Sequence, residues 1–314
     1  MARYIIHDPS NDGINRRGFL ECMAWAGSGV IWTVTGGVLS SRAFGKDTST
    51  SAKGELTFVQ ISDSHMGFNK PANPDVSTTL QATVDKINSL PQPPDFIIHT
   101  GDISHTAKAS EFDGVEGILA ASKQKHVFYV PGEHDVAVDD GKQYLERYGK
   151  GARGRGWYSF DQKGVHFVGL VNVGALEGMG KLGADQLQWL EDDLRAKSTS
   201  TPIVLFAHIP LWTVYPDWGW ATQDSEQALG CVKRFGSVTV LNGHIHQVMQ
   251  KVEGNVTFHT AMSTAFPQPA PGAAPSPGPM KVADDKLRGV LGITEVQAVM
   301  KNHSLAVVDS SLAG

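Results

Sequence analysis

The sequence predicts a layered α/β domain, because short apolar runs alternate with segments of helical periodicity. The runs are rich in β-branched and aromatic residues and are short enough to be buried strands. They cover residues 56–61, 96–98, 127–130, 166–171, 203–207 and 238–241. Between them, one helical face carries Val76, Leu80, Val84, Ile87 and Leu90, and another carries Leu187, Leu190 and Leu194.

Further short runs come in pairs and are expected to form hairpins that extend the sheets. The pairs are 157–160 with 166–171, 248–252 with 256–260, and 295–299 with 304–308. Residues 267–279 (PQPAPGAAPSPGP) are too rich in proline and glycine for regular structure. We therefore expect an extended loop before the last pair of strands.

The first 43 residues are predicted to be an export signal that is removed. Residues 15–20 (NRRGFL) resemble the twin-arginine motif, an apolar stretch follows at 24–39, and 41–43 (SRA) offers small residues for cleavage. An uncleaved membrane anchor is the alternative, since the apolar stretch is nearly long enough to span a bilayer. Residues 44–54 are then a linker, and residues 55–314 a single domain.

This prediction places the mature protein in the periplasm or outside the cell. The twin-arginine machinery is its expected export partner, and no stable membrane association is expected after cleavage. Of the two cysteines, Cys22 lies in the signal, so Cys231 alone remains and no internal disulfide can form. A protein that needs no disulfide can fold before export, which agrees with the twin-arginine route.

The charge of the chain bears on its partners. The formal net charge is −5, and it is −6 without residues 1–43, because that segment holds four basic and three acidic residues. An acidic body lacks the broad basic surface that binds a nucleic-acid backbone. No nucleic-acid partner is therefore expected.

Residue types that bind metals follow five of the predicted strands at their carboxyl ends. In chain order they are Asp63 and His65, Asp102, the run Glu133-His134-Asp135, His208, and His244 with His246. Ligands of open α/β sheets bind at the carboxyl ends of strands. Any one of these residues could be an ordinary hydrogen-bonded polar group, but five successive occurrences favour a shared site.

The series Asp63-x-His65, Gly101-Asp102, Gly132-x-His134-Asp135, His208 and Gly243-His244-x-His246 resembles the calcineurin-like metallophosphoesterases. Residues 185–190 (DQLQWL) and 158–161 (YSFD) resemble the branch that contains purple acid phosphatases and class III cyclic-nucleotide phosphodiesterases. The resemblance implies a four-layer αββα sandwich with two mixed β-sheets. It also implies a hydrolase.

The implied chemistry uses two metal ions, of Fe, Mn or Zn, because mixed imidazole and carboxylate ligands suit these metals. Such a pair lowers the pKa of a bridging water, so that hydroxide attacks the phosphate ester, and it clamps the phosphoryl oxygens. The implied ligands of the first ion are Asp63, His65, Asp102 and His246. Those of the second ion are Asp102, Glu133, His208 and His244, so Asp102 is the bridge.

His134 matches the family's catalytic histidine, which contacts the phosphate or the leaving oxygen. Asp135 is expected to orient His134, as carboxylates commonly do for functional histidines. Glu133 departs from the family, which has asparagine at this position. Its carboxylate raises the ligand charge from −2 to −3, so we expect a more tightly held metal that is a weaker Lewis acid.

Other residues near the motifs are weaker candidates. The aromatic segment 211–220 (LWTVYPDWGW) follows His208 and could either stack on a substrate or pack as a loop core. Arg153 and Arg155 could contact a phosphate, although a solvated loop is the better interpretation. His105 is a candidate for a supporting contact to the metal ligands, and no role is predicted for His259.

The sequence therefore predicts a metal-dependent hydrolase of small phosphomonoesters or phosphodiesters, including cyclic nucleotides. A metal-dependent nuclease is an alternative, which the acidic charge disfavours. A non-catalytic scaffold on the same fold is another, although a scaffold has no use for His134 and a full set of metal ligands.

Overall fold

The computed structural model describes residues 29–35, 38–44, 56–174, 178–299 and 304–313. The twin-arginine motif at 15–20 and nearly all of the linker lie outside the described residues, so export stays a prediction. Gly29–Thr35 (β1) and Val38–Phe44 (β2) form an antiparallel pair, which lies in the predicted signal except for Phe44, the first residue of the predicted linker. Among the helices that the structure describes, none is both long and apolar enough to cross a lipid bilayer.

All six predicted buried strands are present, with bounds within one or two residues of those expected. The strands are β3 (Thr57–Ile61), β4 (Phe96–His99), β5 (Val127–Tyr129), β6 (Tyr158–Gln162), β7 (Val165–Gly169), β8 (Ile203–Ala207), β9 (Val238–Asn242), β10 (Gln250–Glu253), β11 (Val256–Thr260), β12 (Gly292–Val299) and β13 (Ser304–Ser311). The three expected hairpins are β6–β7, β10–β11 and β12–β13. Residues 267–279 form neither helix nor strand.

The helices are α1 (Val76–Ser89), α2 (Ala109–Leu119), α3 (Glu133–Val136), α4 (Lys142–Tyr148), α5 (Ala184–Arg195), α6 (Ser225–Val232) and α7 (Leu287–Val290). Apolar periodicity predicts α1 and α5 but not the others, because most of those are too short to show it. α1 begins at Asp75, whose side chain accepts hydrogen bonds from the backbone N–H groups of Ser77 and Thr78.

The two large sheets are both mixed. The five-stranded sheet has the order β13-β12-β3-β4-β5, in which β3, β4 and β5 run parallel. The six-stranded sheet has the order β10-β11-β9-β8-β7-β6, with antiparallel strands β10 and β6 at its edges. The carboxyl ends of the parallel strands are where the predicted metal ligands follow in the sequence.

Alternating side chains divide the core into layers. Phe58 points between the sheets, where its ring lies 5.4 Å from that of Phe167. The next residue, Val59, points outward and packs with α1 and α2. On the other side, Val168 packs with α5 and α6. The order helices–sheet–sheet–helices confirms the predicted αββα sandwich.

Candidate metal centre

The seven predicted metal ligands come from both sheets and meet at one edge of the sandwich. β3 is followed by Asp63 and His65, β4 by Asp102, β5 by Glu133, β8 by His208, and β9 by His244 and His246. Hydrogen bonds join the two sheets here. His208 Nδ1–H donates to the Thr100 carbonyl at 2.7 Å, and His244 N–H donates to the Asp63 carboxylate at 3.1 Å.

Five of the seven residues have a left-handed backbone conformation. The φ angles are 54° for Asp63, 41° for His65, 50° for Asp102, 69° for His244 and 52° for His246. Such residues cost about 1–3 kcal/mol each and persist only where the surrounding structure fixes them. Left-handed conformations of this kind cluster at functional sites.

Glycines in the motifs allow the strand-end loops to approach each other. A Cβ atom on Gly132 would overlap Asp102 Oδ1. Gly101 has a φ of 96°, and a Cβ atom there would lie 2.5 Å from His208 Nδ1. The motif glycines therefore make room for the side chains that follow them.

Asp63, His65 and His246 form one group of possible metal donors. His246 Nε2 lies 3.3 Å from Asp63 Oδ1 and 3.2 Å from His65 Nε2. The three side chains are almost completely buried. All three donor atoms lie within 4.8 Å of one another, which is close enough for one ion.

Glu133, His208 and His244 form a second group. Glu133 Oε2 lies 2.9 Å from His208 Nε2, and Glu133 Oε1 lies 3.0 Å from His244 Nδ1. These donor atoms also lie within 4.8 Å of one another. Glu133, the residue that departs from the family, is thus part of the cluster.

Asp102 lies between the two groups. Its Oδ2 atom is 3.4 Å from His65 Nε2 in the first group and 3.5 Å from His208 Nε2 in the second. Its Oδ1 atom accepts the backbone N–H of His134 at 3.0 Å. One oxygen is therefore held by the backbone while the other faces both groups.

The donor spacing fits metal ions. With metal–ligand bonds of about 2.1 Å, neighbouring donors are about 3.0 Å apart in octahedral and about 3.4 Å apart in tetrahedral coordination. The separations given above run from 2.9 to 3.5 Å, and His208 Nε2 also lies 3.9 Å from Asp63 Oδ1. Glu133 Oε2, His208 Nε2 and both ring nitrogens of His244 are buried without a hydrogen-bond partner among the described residues. Buried polar atoms that make no hydrogen bond are costly in free energy unless another partner, such as a metal ion, binds them.

One ring nitrogen of each of three predicted ligand histidines points away from the cluster and has a contact there. His208 Nδ1–H donates to Thr100, and His246 Nδ1–H donates to the Phe266 carbonyl at 2.5 Å. His65 Nδ1 instead lies 3.3 Å from His105 Nδ1, which gives His105 the expected supporting contact. Such contacts orient metal-binding rings. Phe266 and Thr100 act through backbone carbonyls, so their identity in the sequence gives no signal of this role.

The electrostatics show that negative charge dominates the cluster. Burial raises the pKa of Asp63, but His246 and His208 lower it to about 2. Burial also raises the pKa of Glu133, yet His244 and His208 hold it well below its ordinary value. Burial lowers the pKa of His208, while Asp102 and Glu133 raise it well above its usual range. The carboxylates thus favour positive charge at this site, which a bound cation would also supply.

His134 lies beside the cluster, but the group that orients its ring is not the predicted Asp135. Its Nδ1–H donates to the His105 carbonyl at 2.7 Å, and its ring stacks on that of His105 at 4.8 Å. Asp135 accepts hydrogen bonds from the backbone N–H groups of Ile103, Ser104 and Gly132 and from the Ser104 hydroxyl. Asp135 therefore ties the Asp102 loop to the loop of Gly132, and a carbonyl orients His134 in its place.

A cleft of about 410 Å³ opens onto the cluster. Its floor is formed by the predicted site residues His65, Asp102, Glu133, His134 and His244, together with His105. Trp218, Trp220 and the proline-rich residues 276–279 line the other walls. The sequence predicts the proline-rich segment as a loop but not its position over the cluster.

The weaker candidates divide between the cleft and other regions. Trp218 is half-buried in the cleft, whereas Trp212 of the same aromatic segment packs on Phe258 in the core. Arg155 forms an exposed ion pair with Asp140 at 2.7 Å. His259 is buried and contacts Asp309 at 3.1 Å.

Comparison with known proteins gives a family match. The family model described as calcineurin-like phosphoesterase matches residues 56–248, a range that contains all seven predicted ligands. The chain is 26% identical over 218 residues to a 3',5'-cyclic-nucleotide phosphodiesterase of Nostoc sp., covering 67% of this chain and 79% of that protein. It is 25% identical over 227 residues to a probable glycerophosphodiester phosphodiesterase of Arcobacter nitrofigilis, covering 66% and 78%.

Solved structures give a fold match. A purple acid phosphatase from yellow lupin, Lupinus luteus, superposes with a TM-score of 0.61 at 14% identity. The match covers 88% of this chain and 54% of the lupin chain, so this chain spans just over half of that protein. At this identity the likeness concerns the fold alone.

Proposed function

The chain belongs to the calcineurin-like phosphoesterase family, and on that premise we propose that it hydrolyses small phosphate esters with two bound metal ions. The observation that carries the proposal is the position of Asp102 Oδ2, 3.4 and 3.5 Å from a histidine of each donor group. One ion would be held by Asp63, His65, His246 and Asp102. The other would be held by Asp102, Glu133, His208 and His244.

When bound, two such ions activate water and neutralise charge on the phosphoryl oxygens. The residues that line the cleft include no lysine or arginine among those the structure describes. The described lining of the cleft therefore offers no lysine or arginine side chain to a phosphate. Its own residues contribute the metal ligands and His134.

His134 is the proposed proton donor to the leaving oxygen. Because Nδ1–H donates to the His105 carbonyl, the other ring nitrogen, Nε2, is the atom left to exchange a proton with substrate. Burial lowers the pKa of His134, but Asp102 and Glu133 raise it above its ordinary value.

The cleft favours a small ester with a flat or apolar group. A volume of about 410 Å³ lies in the range of small-molecule sites. Trp218 and the prolines add apolar surface to the lining of the cleft, and aromatic side chains stack well on planar groups. The names of several relatives specify cyclic-nucleotide phosphodiesterases, which supports a cyclic nucleotide or another small diester as substrate.

Two alternatives receive less support. A nuclease would need basic residues to hold a polynucleotide backbone, and neither the charge of the chain nor the cleft lining offers them. A non-catalytic scaffold would have no need for unsatisfied metal donors beside an oriented His134.

The test is a hydrolysis panel on the metal-stripped protein, reloaded in turn with Mn, Fe and Zn. The substrates are an aryl monoester, an aryl diester, cyclic nucleotides and single-stranded DNA, and the Asp102→Asn protein is the control. Metal-dependent turnover of a small ester that is lost in the control supports the proposal. Turnover of DNA alone, or of no substrate with any metal, contradicts it.

We also propose that the protein is exported by the twin-arginine route. The sequence Arg16-Arg17 supports this proposal. Replacing both by lysine keeps the charge but removes the motif, so the precursor should stay in the cytoplasm. Normal accumulation of this variant outside the cytoplasm, measured by cell fractionation, would refute the route.

A further inference from the structure

Glu133 gives the two donor groups the same chemical composition. The first group offers two imidazole nitrogens, from His65 and His246, and one carboxylate, from Asp63. The second also offers two imidazole nitrogens and one carboxylate, that of Glu133. Each group shares Asp102 Oδ2.

We infer that Glu133 makes the two metal positions equivalent in donor set and charge, so that both ions stay bound without substrate. The inference rests on the proposed two-metal function. It concerns how the pair is retained and not which ester is hydrolysed.

The geometry of the two carboxylates supports this equivalence. Asp63 Oδ1 lies 3.3 Å from His246 Nε2, and the Glu133 oxygens lie 2.9 and 3.0 Å from their two histidines. The Glu133 side chain is also largely buried, at 13% exposed, as a metal ligand within the cluster would be. Glu133 Oε2 and His208 Nε2 approach to 2.9 Å, yet neither makes a hydrogen bond within the described residues. This arrangement is expected of two ligands that face a common ion.

A neutral donor at position 133 would break the equivalence. The second ion would then have only its share of the Asp102 charge, while the first would keep the full charge of Asp63 as well. Carboxylates bind hard and borderline cations as anions, so loss of one charge weakens the position that loses it. Glu133 therefore sets the affinity of the second position.

The same charge has a catalytic consequence. Two divalent ions and three carboxylates carry a net charge of +1, whereas a neutral residue 133 would leave +2. The lower charge attracts an anionic ester less strongly and makes the ions weaker Lewis acids. Tight retention of the second ion is thus linked to slower turnover for each bound pair.

The experiment titrates metal-stripped protein with Mn²⁺ by calorimetry and follows the pair by its electron-paramagnetic-resonance signal. The wild type should bind two ions with affinities within about tenfold of each other, or about 1.4 kcal/mol. Glu133→Gln keeps the shape of the side chain but removes its charge. It should weaken one ion by more than about tenfold, the lower bound for loss of even an outer contact to a metal ligand.

Asp63→Asn is the matched control, because it removes the equivalent charge from the first position. It should also weaken one ion and leave the other. With one equivalent of Mn²⁺, both variants should give the signal of an isolated ion, and with two equivalents the wild type should give that of a coupled pair. Glu133→Gln should also turn over faster than wild type for each bound pair.

Three results would overturn the inference. The wild type could bind its second ion more than about 100-fold more weakly than its first, a gap of about 2.7 kcal/mol. Glu133→Gln could bind both ions as the wild type does, or Glu133→Gln could bind its pair more weakly without any gain in rate. Because the wild-type titration needs no variant, misfolding of a variant leaves the inference testable. Failure of the hydrolysis panel would remove the proposed function and leave these binding results standing.

Discussion

Two clusters of histidines and carboxylates lie at opposite ends of the six-stranded sheet. At the start of β7, His166 contacts Asp161 through Nδ1 at 2.9 Å and Asp193 through Nε2 at 2.7 Å. Lys197 Nζ contacts Asp161 at 2.7 Å. Each charged or polar group in this cluster thus has a partner within it.

The cluster beyond the end of β8 has the same residue types but a different balance. His208 Nε2 and both ring nitrogens of His244 are buried without hydrogen bonds among the described residues, next to three carboxylates. No lysine is in contact with these carboxylates among the ion pairs the structure describes. Buried polar atoms without hydrogen bonds, and not the presence of histidine and aspartate, therefore distinguish the candidate metal centre from a structural ion cluster.

Of the substitutions considered, Asp102→Asn should lower metal content and turnover the most. Asp102 Oδ2 faces both donor groups, so the variant should lose affinity for both ions. Metal ions contribute several kcal/mol to such reactions, so turnover should fall by about 10³-fold or more. Metal analysis and kcat measure the effect. Asp161→Asn at the other end of the sheet is the control and should keep both, and a variant Asp102→Asn with two ions and near-normal turnover would disprove the ligand assignment.

His134→Ala should have the next largest effect. His134 is assigned to proton transfer, so kcat should fall by about 10²–10⁴-fold while metal content stays unchanged. The loss should shrink for esters with good leaving groups, which need little proton donation. An equal loss across a series of aryl leaving groups would mean that His134 does not donate the proton.

His105 should have a smaller effect, which two variants can separate. His105→Phe keeps a ring to stack on His134 but removes the nitrogen that lies 3.3 Å from His65 Nδ1. His105→Asn keeps an acceptor near that nitrogen and removes the ring. Loss of such contacts typically costs about 10–100-fold in metal affinity or activity, so the Phe variant should bind metal more weakly than the Asn variant. Equal metal affinities, measured by competition with a chelator, would contradict a role for His105 in holding His65.

Asp193→Asn should change stability and leave catalysis intact. Burial raises the pKa of Asp193, but hydrogen bonds from His166 and Ser159 lower it below its ordinary value of 3.8. The ionised carboxylate therefore stabilises the fold at pH values above its ordinary pKa of 3.8. This contribution to the free energy of unfolding is lost as the pH falls through the lower pKa that Asp193 has in the folded state. The variant should lose about 1–3 kcal/mol of unfolding free energy at pH 7 and less in acid, as measured by urea denaturation. A loss of metal or of kcat would show that the two ends of the sheet are coupled.

Much of the fold and of the ligand set could be predicted from the sequence because both follow from local patterns. Buried strands are visible as apolar runs, and residues that follow parallel strands gather at one edge whatever the details of packing. This is why Asp63 and His246 could be placed at one shared site although 182 residues separate them, while their assignment to the same ion came from the family resemblance. The short helices α4 and α6 escaped prediction because seven or eight residues show too little periodicity.

Details that depend on contacts between distant loops could not be predicted. Asp135 is adjacent to His134 in sequence, but its carboxylate reaches three backbone N–H groups instead of the imidazole ring. The left-handed conformations of the predicted ligand residues depend on the surrounding loops, since positive φ angles are uncommon for residues other than glycine. The position of the proline-rich loop in the lining of the cleft depends on how that loop packs against the rest of the domain.

The order of residues along the chain places particular residue types at the ends of particular strands, and the layered fold and the candidate ligands follow from that order. Which of those polar groups bond to each other, and which face a common point without a hydrogen bond, depends on how the loops pack. His166 at the start of β7 and His208 after the end of β8 both lie beside carboxylates, yet His166 makes a hydrogen bond through each ring nitrogen, whereas His208 Nε2 lies 2.9 Å from Glu133 without making one. The physical reason is that hydrogen bonding and ion pairing depend on distances of a few ångströms between residues far apart in the chain, which no local pattern encodes.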